Sequence, residues 1–132
     1  EYVASLLFHY LRNGAEAYVY WNMVLPEGGE STWGWKQNAM ITILPDSDTY
    51  RLNPEFYIMR HFSAFIKPGA VILKAEGGLS PNSICAKNPD GTVVVVAANT
   101  LDVVRKADIA YGEKHVTLEM PPHSVLTAQF EA

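Results

Sequence analysis

The sequence predicts a mostly β fold: an antiparallel β-sandwich preceded by a single helix–strand unit of the kind that builds parallel sheets. Three observations carry this expectation. From Ala70 onward, six β-rich runs alternate with turn signals at a spacing of about ten residues. Ahead of them, Tyr2–Arg12 has helical periodicity, stops at Asn13-Gly14 and leads into Ala17–Trp21, a short run that is apolar on both faces. Between these parts lies Tyr18–Asn38, YVYWNMVLPEGGESTWGWKQN, which holds all three tryptophans, Trp21, Trp33 and Trp35.

The helix 2–12 has Val3, Leu7 and Tyr10–Leu11 on one stripe with Leu6 alongside, and glycine at position 14 accepts the left-handed conformation that closes it. Helix, glycine, connector and buried strand make half of a βαβ repeat, so Ala17–Trp21 calls for parallel neighbours that this chain does not supply. Pro26–Thr32 is loop by composition. Ala39–Leu44 is a strand closed by a turn over Pro45, Asp46, Ser47 and Asp48. Asn53-Pro54-Glu55 starts a second helix with an Asn cap, a proline at the first position and an acid in the first turn. Phe56, Met59, Phe62–Ser63 and Ile66 continue it over about residues 54–66, with Phe56, Tyr57, Phe62 and Phe65 as core aromatics, and Lys67-Pro68-Gly69 ends it.

The six later strands are expected at Ala70–Ala75, Ser83–Lys87, Thr92–Ala98, Val103–Ile109, Val116–Met120 and Ser124–Phe130. Thr92–Ala98 is the least polar and reads as the central strand. Pro121-Pro122 falls between strands, where a missing N–H costs nothing. The chain is expected to divide into residues 1–38, an α/β fragment, and residues 39–132, a β-domain with one packed helix.

Composition excludes several function classes. The 132-residue chain is 48% hydrophobic and 18% charged with a net charge of −4, the balance of one globular domain. No basic patch is present to neutralise phosphates, which argues against nucleic acid as a partner. No apolar stretch approaches the roughly 18 residues of a membrane span. The one cysteine, Cys85, permits no internal disulfide, and SICAK reads as a strand with a small buried thiol. The chain opens at Glu1 without methionine and runs directly into helix, which reads as a start inside a larger polypeptide.

Standard catalytic constellations are missing. There is no phosphate-binding glycine loop after a strand, no GxSxG, CxxC or HExxH, and no spacing that converges His9, His61, His115 or His123 on a metal. No cofactor is implied. Glycoside hydrolysis needs two carboxyls facing each other, about 5–5.5 Å apart for retention. Glu27 and Glu30 are the only acids near the tryptophans and read as solvated loop acids. What remains is binding chemistry. A Trp face meets the axial C–H groups of a sugar, and Asn and Gln offer a donor and an acceptor to hydroxyls. Core packing for Trp21, and loop packing for Trp33 and Trp35, are the structural alternatives.

YVYWNMVL, the glycine-rich loop, QNAMITI and NPEFYIMRHFSAFIKPGA together resemble the C-terminal part of glycoside hydrolase family 30, which includes glucosylceramidases, β-1,6-glucanases and xylanases. The most specific matches are Trp21-Asn22 to Leu25 and His61–Ala70. The resemblance implies a retaining β-glycosidase made of a (β/α)8 barrel with a side-associated β-sandwich. Tyr2–Arg12 would be the seventh helix and Ala17–Trp21 the eighth strand, so that the fold is a sandwich preceded by the last helix–strand unit of the barrel. Both catalytic glutamates would lie upstream of Glu1, no catalytic residue would be in this chain, and the chain alone would be inactive. Substrate contacts pass to Trp21, Asn22, Trp33 and Asn38. The implied partners are a β-glucoside or β-glucan and the missing barrel, the implied location is secreted or periplasmic, and one sheet edge would be open because the family's sandwich takes further strands from ahead of the barrel. A non-catalytic carbohydrate-binding or structural sandwich is the alternative, favoured if Ala17–Trp21 packs on its own sandwich.

Overall fold

The computed structural model describes residues 1–45 and 48–131; Asp46 and Ser47 of the expected turn lie outside the described residues. Helix α1 spans Tyr2–Arg12 and helix α2 spans Pro54–Ser63. Strands β1 (Val24–Pro26), β2 (Ile41–Ile43) and β3 (Tyr50–Leu52) form a small sheet in that order. Strands β4 (Val71–Leu73), β5 (Ser83–Lys87), β6 (Val93–Asn99) and β9 (Ser124–Phe130) form an antiparallel sheet in the order β4-β5-β6-β9. Strands β7 (Arg105–Tyr111) and β8 (Lys114–Met120) form a hairpin.

The sandwich exists because β6 is buried on both faces. All seven of its residues are buried. Alternation sends Val94, Val96 and Ala98 to one side, where Ala4, Leu7 and Phe8 of α1, Phe62 of α2 and Ile84 of β5 complete a cluster. It sends Val93, Val95 and Ala97 to the other side, against Phe130, Ala107, Met120, Ile109 and Val116. The molecule is thus layered as helices, four-stranded sheet and hairpin. Each fully buried valine contributes about 1.5–3 kcal/mol of apolar transfer.

Several expectations shift in detail. The expected stripe holds at Leu7, which is buried, and at Val3 and Leu11, which pack against the core, while Ala4 and Phe8 join it and Tyr10 is 45% exposed. Ala4 lets the helix approach the sheet, and Phe8 meets Phe62 with ring centroids 5.4 Å apart, so packing widens the stripe towards these two residues. The second helix ends at Ser63, not Ile66, and continues as turns that bring Ile66 N–H to Phe62 O at 2.9 Å. The hairpin strands extend to Tyr111 and back from Lys114 because a two-residue turn joins them, with Gly112 at φ +59°. Strands β1 and β3 were not expected; each has only three residues, too few to show a period. Pro121 and Pro122 lie between β8 and β9 as expected. Cys85 sits half-buried in β5, where burial pushes its thiol pKa up.

Polar side chains join the layers. The guanidinium of Arg12 donates to the carbonyls of Ser80 and Pro81, each at 2.6 Å, clamping the end of α1 to the turn before β5. Asn88 is buried, donates to Phe65 O at 2.9 Å and accepts from Lys67 N–H at 2.9 Å, which fixes the exit of α2. Asn99 is 1% exposed and its amide donates to the carbonyls of Val103, Met120 and Pro121 at 2.8–3.1 Å. His61 bonds Thr127 Oγ1 at 2.8 Å, tying α2 to β9, and burial followed by Arg60 lowers its pKa. His123, at φ +51°, holds Glu1 through Nδ1 and Asp102 through Nε2. No helix among the described residues is long and apolar enough to cross a membrane.

Two outcomes follow. Asn99→Ala strands buried carbonyls without a donor and is expected to lower unfolding free energy by about 1–3 kcal/mol at unchanged m-value, measured by urea titration. The carboxylates of Glu1 and then Asp102 raise the pKa of His123 above its ordinary 6.5. Its contribution to stability is therefore fully present below about pH 6.5 and is lost as pH rises through the folded value. NMR titration should give a His123 midpoint above 6.5 that falls in Asp102→Asn.

Candidate functional site

Beyond Gly14, residues Ala15–Tyr20 form no strand. The strand expected at Ala17–Trp21 is absent because no segment among the described residues lies alongside to pair its N–H and C=O groups. Val19 is 89% and Trp21 77% exposed, whereas Tyr18 and Tyr20 are half-buried, Tyr18 packing on the helical core near Tyr10. Parallel pairing begins a few residues later, where Val24–Pro26 runs beside Ile41–Ile43. The cis Trp21–Asn22 peptide leads into it. Asn22 N–H donates to Asn38 O at 3.4 Å, Met40 N–H donates to Asn22 O at 3.0 Å, and the Asn22 amide donates to Gln37 Oε1 at 3.2 Å.

The loop from Pro26 to Asn38 is a folded object. Glu30 and Lys36 form a β-bridge, and Ser31 Oγ accepts from the N–H groups of Trp33 and Trp35 at 3.3 and 3.1 Å. These bonds hold out two indoles with centroids 6.0 Å apart, both largely exposed. Gly29 anchors the base: Gln37 N–H donates to its carbonyl at 2.9 Å, its φ is +49°, and a Cβ there would lie 2.4 Å from Gln37 O.

Two concavities flank this loop. One of about 510 Å³ is lined by Tyr2, Tyr18, Tyr20, Trp21, Asn38 and Glu55, among others. A second of about 380 Å³ is lined by Lys36, Gln37, Arg51, Asn53 and again Asn38 and Glu55. They meet at Asn38, Pro54 and Glu55. Asn53 occupies the cap position of α2, yet its amide donates to Ala39 O at 2.7 Å and Thr42 Oγ1 at 2.8 Å rather than to the helix. Burial, then Glu55, raises the pKa of Tyr20 and keeps its phenol neutral.

Of the expected contacts, Trp21 and Asn38 share the larger cavity, and Asn22 adjoins it as a bonded tie between two chain segments. Trp33 lines neither concavity and pairs with Trp35 instead. Glu27 faces Arg51 at 3.8 Å on the surface. Sequence reasoning passed over Tyr20 and Glu55. Tyr20 was assigned to a sheet, and Glu55 had the ordinary role of a first-turn acid. Their approach depends on how α2 is laid against residues 18–21, which no local pattern encodes.

The fold and this wall define a β-sandwich domain with an aromatic, amide-bearing rim. Residues 80–128 match the sequence model of the glycosyl hydrolase family 30 beta sandwich domain. Among curated relatives, endo-1,6-beta-D-glucanase neg1 of Aspergillus fumigatus is 36% identical over 84 residues, 58% of this chain and 17% of its own length. The lysosomal acid glucosylceramidase of Mus musculus is 33% identical over 104 residues, 74% of this chain and 18% of its own length. Among solved structures, SrfJ from Salmonella typhimurium superposes with a TM-score of 0.92 at 24% identity, covering 99% of this chain and 30% of that one. The endo-beta1,6-glucanase BT3312 gives 0.83 at 24% identity, covering 95% and 29%. Residues 80–128 carry the β-sandwich domain of glycoside hydrolase family 30. It spans under a fifth of the length of these two curated relatives.

Gly29→Ala is expected to distort the loop without unfolding the sandwich. Near-UV circular dichroism and tryptophan emission should change while the melting temperature shifts by no more than a few degrees.

Proposed function

We propose that the chain is the C-terminal part of a retaining β-glycoside hydrolase acting on β-linked glucosides or glucans, in which it supplies a sugar-binding wall. Residues 1–38 belong to a (β/α)8 barrel in this reading, and residues 39–132 form the sandwich beside it. The catalytic glutamates belong to the remainder of the barrel, and the enzyme acts outside the cytoplasm. Trp21 is the stacking platform. Asn38 offers hydroxyl contacts, Asn22 fixes the loop behind it, and Trp33 extends the wall.

The exposure of Val19 and Trp21 carries this reading. A segment apolar on both faces, partly covered on the side of Tyr18 and Tyr20 only and paired as a strand with nothing among the described residues, suits a barrel strand whose neighbours come from elsewhere. A self-contained binding or structural sandwich would fold that segment onto its own sheet. The likeness to an endo-1,6-beta-D-glucanase and a glucosylceramidase supports the substrate class.

The 132-residue chain alone is expected to leave aryl β-glucosides intact. Turnover by the purified chain overturns the assignment of catalysis to the barrel. In a polypeptide that also contains the barrel, Trp21→Ala should raise KM roughly tenfold, equivalent to about 1.4 kcal/mol of lost binding, and Trp21→Phe should restore most of it. Unchanged kcat/KM in Trp21→Ala removes the stacking role.

A further inference from the structure

Trp21 is 77% exposed, so packing does little to aim its indole. The residue after it is anchored at three points. Asn22 N–H donates to Asn38 O at 3.4 Å, its carbonyl accepts from Met40 N–H at 3.0 Å, and its side-chain amide donates to Gln37 Oε1 at 3.2 Å. The two backbone bonds fix the path of the chain as it approaches β2. The side-chain bond fixes how Asn22 is turned against the loop. Gln37, its acceptor, is half-buried, and its backbone has a second task. Its N–H donates to Gly29 O at 2.9 Å and closes the base of the loop that holds out Trp33 and Trp35. The contact there is close, since a Cβ on Gly29 would lie 2.4 Å from Gln37 O. One residue therefore serves both aromatic groups: its backbone secures the loop of the paired indoles, and its side chain secures the neighbour of Trp21.

A half-buried amide that loses its acceptor turns towards water to recover a partner. For Asn22 that turn carries Trp21 with it, because the two are neighbours in the chain. A stacking platform works only while its face stays aligned with the ring it meets, so a small reorientation is enough to weaken it.

We infer that Gln37 is a positioning residue for the sugar-binding wall. Through Asn22 it holds Trp21 at a fixed attitude to the loop bearing Trp33 and Trp35, so that a glucan meets one rigid aromatic surface. The sugar half of this inference rests on the reading of Trp21 as a sugar platform; the positioning half rests on the bonds of Gln37. It acts through Asn22 rather than by touching the sugar. What the role requires is an acceptor at the end of a side chain of this length. Glutamate in its place keeps that acceptor, and methionine keeps the length and removes it.

The test has two arms. In the 132-residue chain carrying Trp33→Phe and Trp35→Phe, emission comes from Trp21 alone. The bonds from Ser31 Oγ are to backbone N–H groups, so these exchanges leave them intact. Time-resolved anisotropy is expected to show Trp21 moving through a wider angle in Gln37→Met and returning to its original decay in Gln37→Glu, with the melting temperature within a few degrees throughout. In the barrel-containing polypeptide, Gln37→Met should raise KM for a β-glucan roughly fourfold at unchanged kcat, and Gln37→Glu should recover most of that. Added to Trp21→Ala, whose own effect is roughly tenfold, Gln37→Met should cost nothing further, because the platform it aims is already gone. Unchanged anisotropy in Gln37→Met overturns the positioning role. So does a KM effect that multiplies with that of Trp21→Ala, or one that is equal in Gln37→Glu and Gln37→Met. Unaltered kcat/KM in Trp21→Ala, with an indole freed by Gln37→Met, removes the sugar-platform reading and leaves the positioning of Trp21 standing.

Discussion

The double-sided burial of β6 is the constraint on which the rest of the structure depends. A strand with seven buried residues cannot be finished by one partner layer. One face requires the hairpin of β7 and β8, and the other requires helices. Because α1 supplies Ala4, Leu7 and Phe8 to that second face, the N-terminal helix is fixed to the sandwich rather than merely tethered to it. Its exit at Gly14 is therefore fixed as well, and with it the direction in which Ala15–Trp21 leaves. The position of the aromatic wall is a consequence of core packing many residues away.

Hydrophobic layers alone leave registry loose, and three asparagines tighten it. Asn53, Asn88 and Asn99 each use a side-chain amide to satisfy backbone carbonyls where the chain changes layer: at the entry of α2, at its exit, and between β6 and the hairpin. An amide suits these joints because it donates and accepts from one rigid plane. A hydroxyl is too short to span two strands, and a charged group would cost too much to bury. Arg12 does similar work at the surface end of α1, where its charge stays in water while its donors reach two carbonyls. The cavity beside Trp21 inherits its shape from Asn53, which holds the start of α2 against β2 and so places Glu55.

The sandwich was legible because its information is local. SICAK and SVLTAQF are bounded by turn residues on both sides, and their ends fall at the expected positions. TVVVVAA could only be central, since no edge strand tolerates such a run. The width of the buried α1 face was not legible. Phe8 and Tyr10 lie on opposite sides of the helix, and only contact with Phe62 of α2 decides that Phe8 is the ring that turns inward. The three-residue strands β1 and β3 carry too few residues for alternation to register. Among site residues, Trp21 and Asn38 stood out by type, whereas Glu55 was hidden by the ordinary role of an acid in a first helical turn.

The segment Ala15–Trp21 shows where local pattern and tertiary structure part. Its composition asks for a strand covered on both sides, and the described residues give it partial cover on the side of Tyr18 and Tyr20 only. The conflict is confined to this stretch; pairing resumes within a few residues, at Val24. A minimally frustrated sequence places such a conflict where another interaction is meant to resolve it. Tyr18 turns in to the helical core, while Val19 and Trp21 stay out. One indole and one valine in water cost a few kcal/mol of forgone burial. The three-layer core can carry that cost, because β6 and its two facing layers are complete without the segment. That independence is what allows these aromatic residues to be held in place while their outer face stays open.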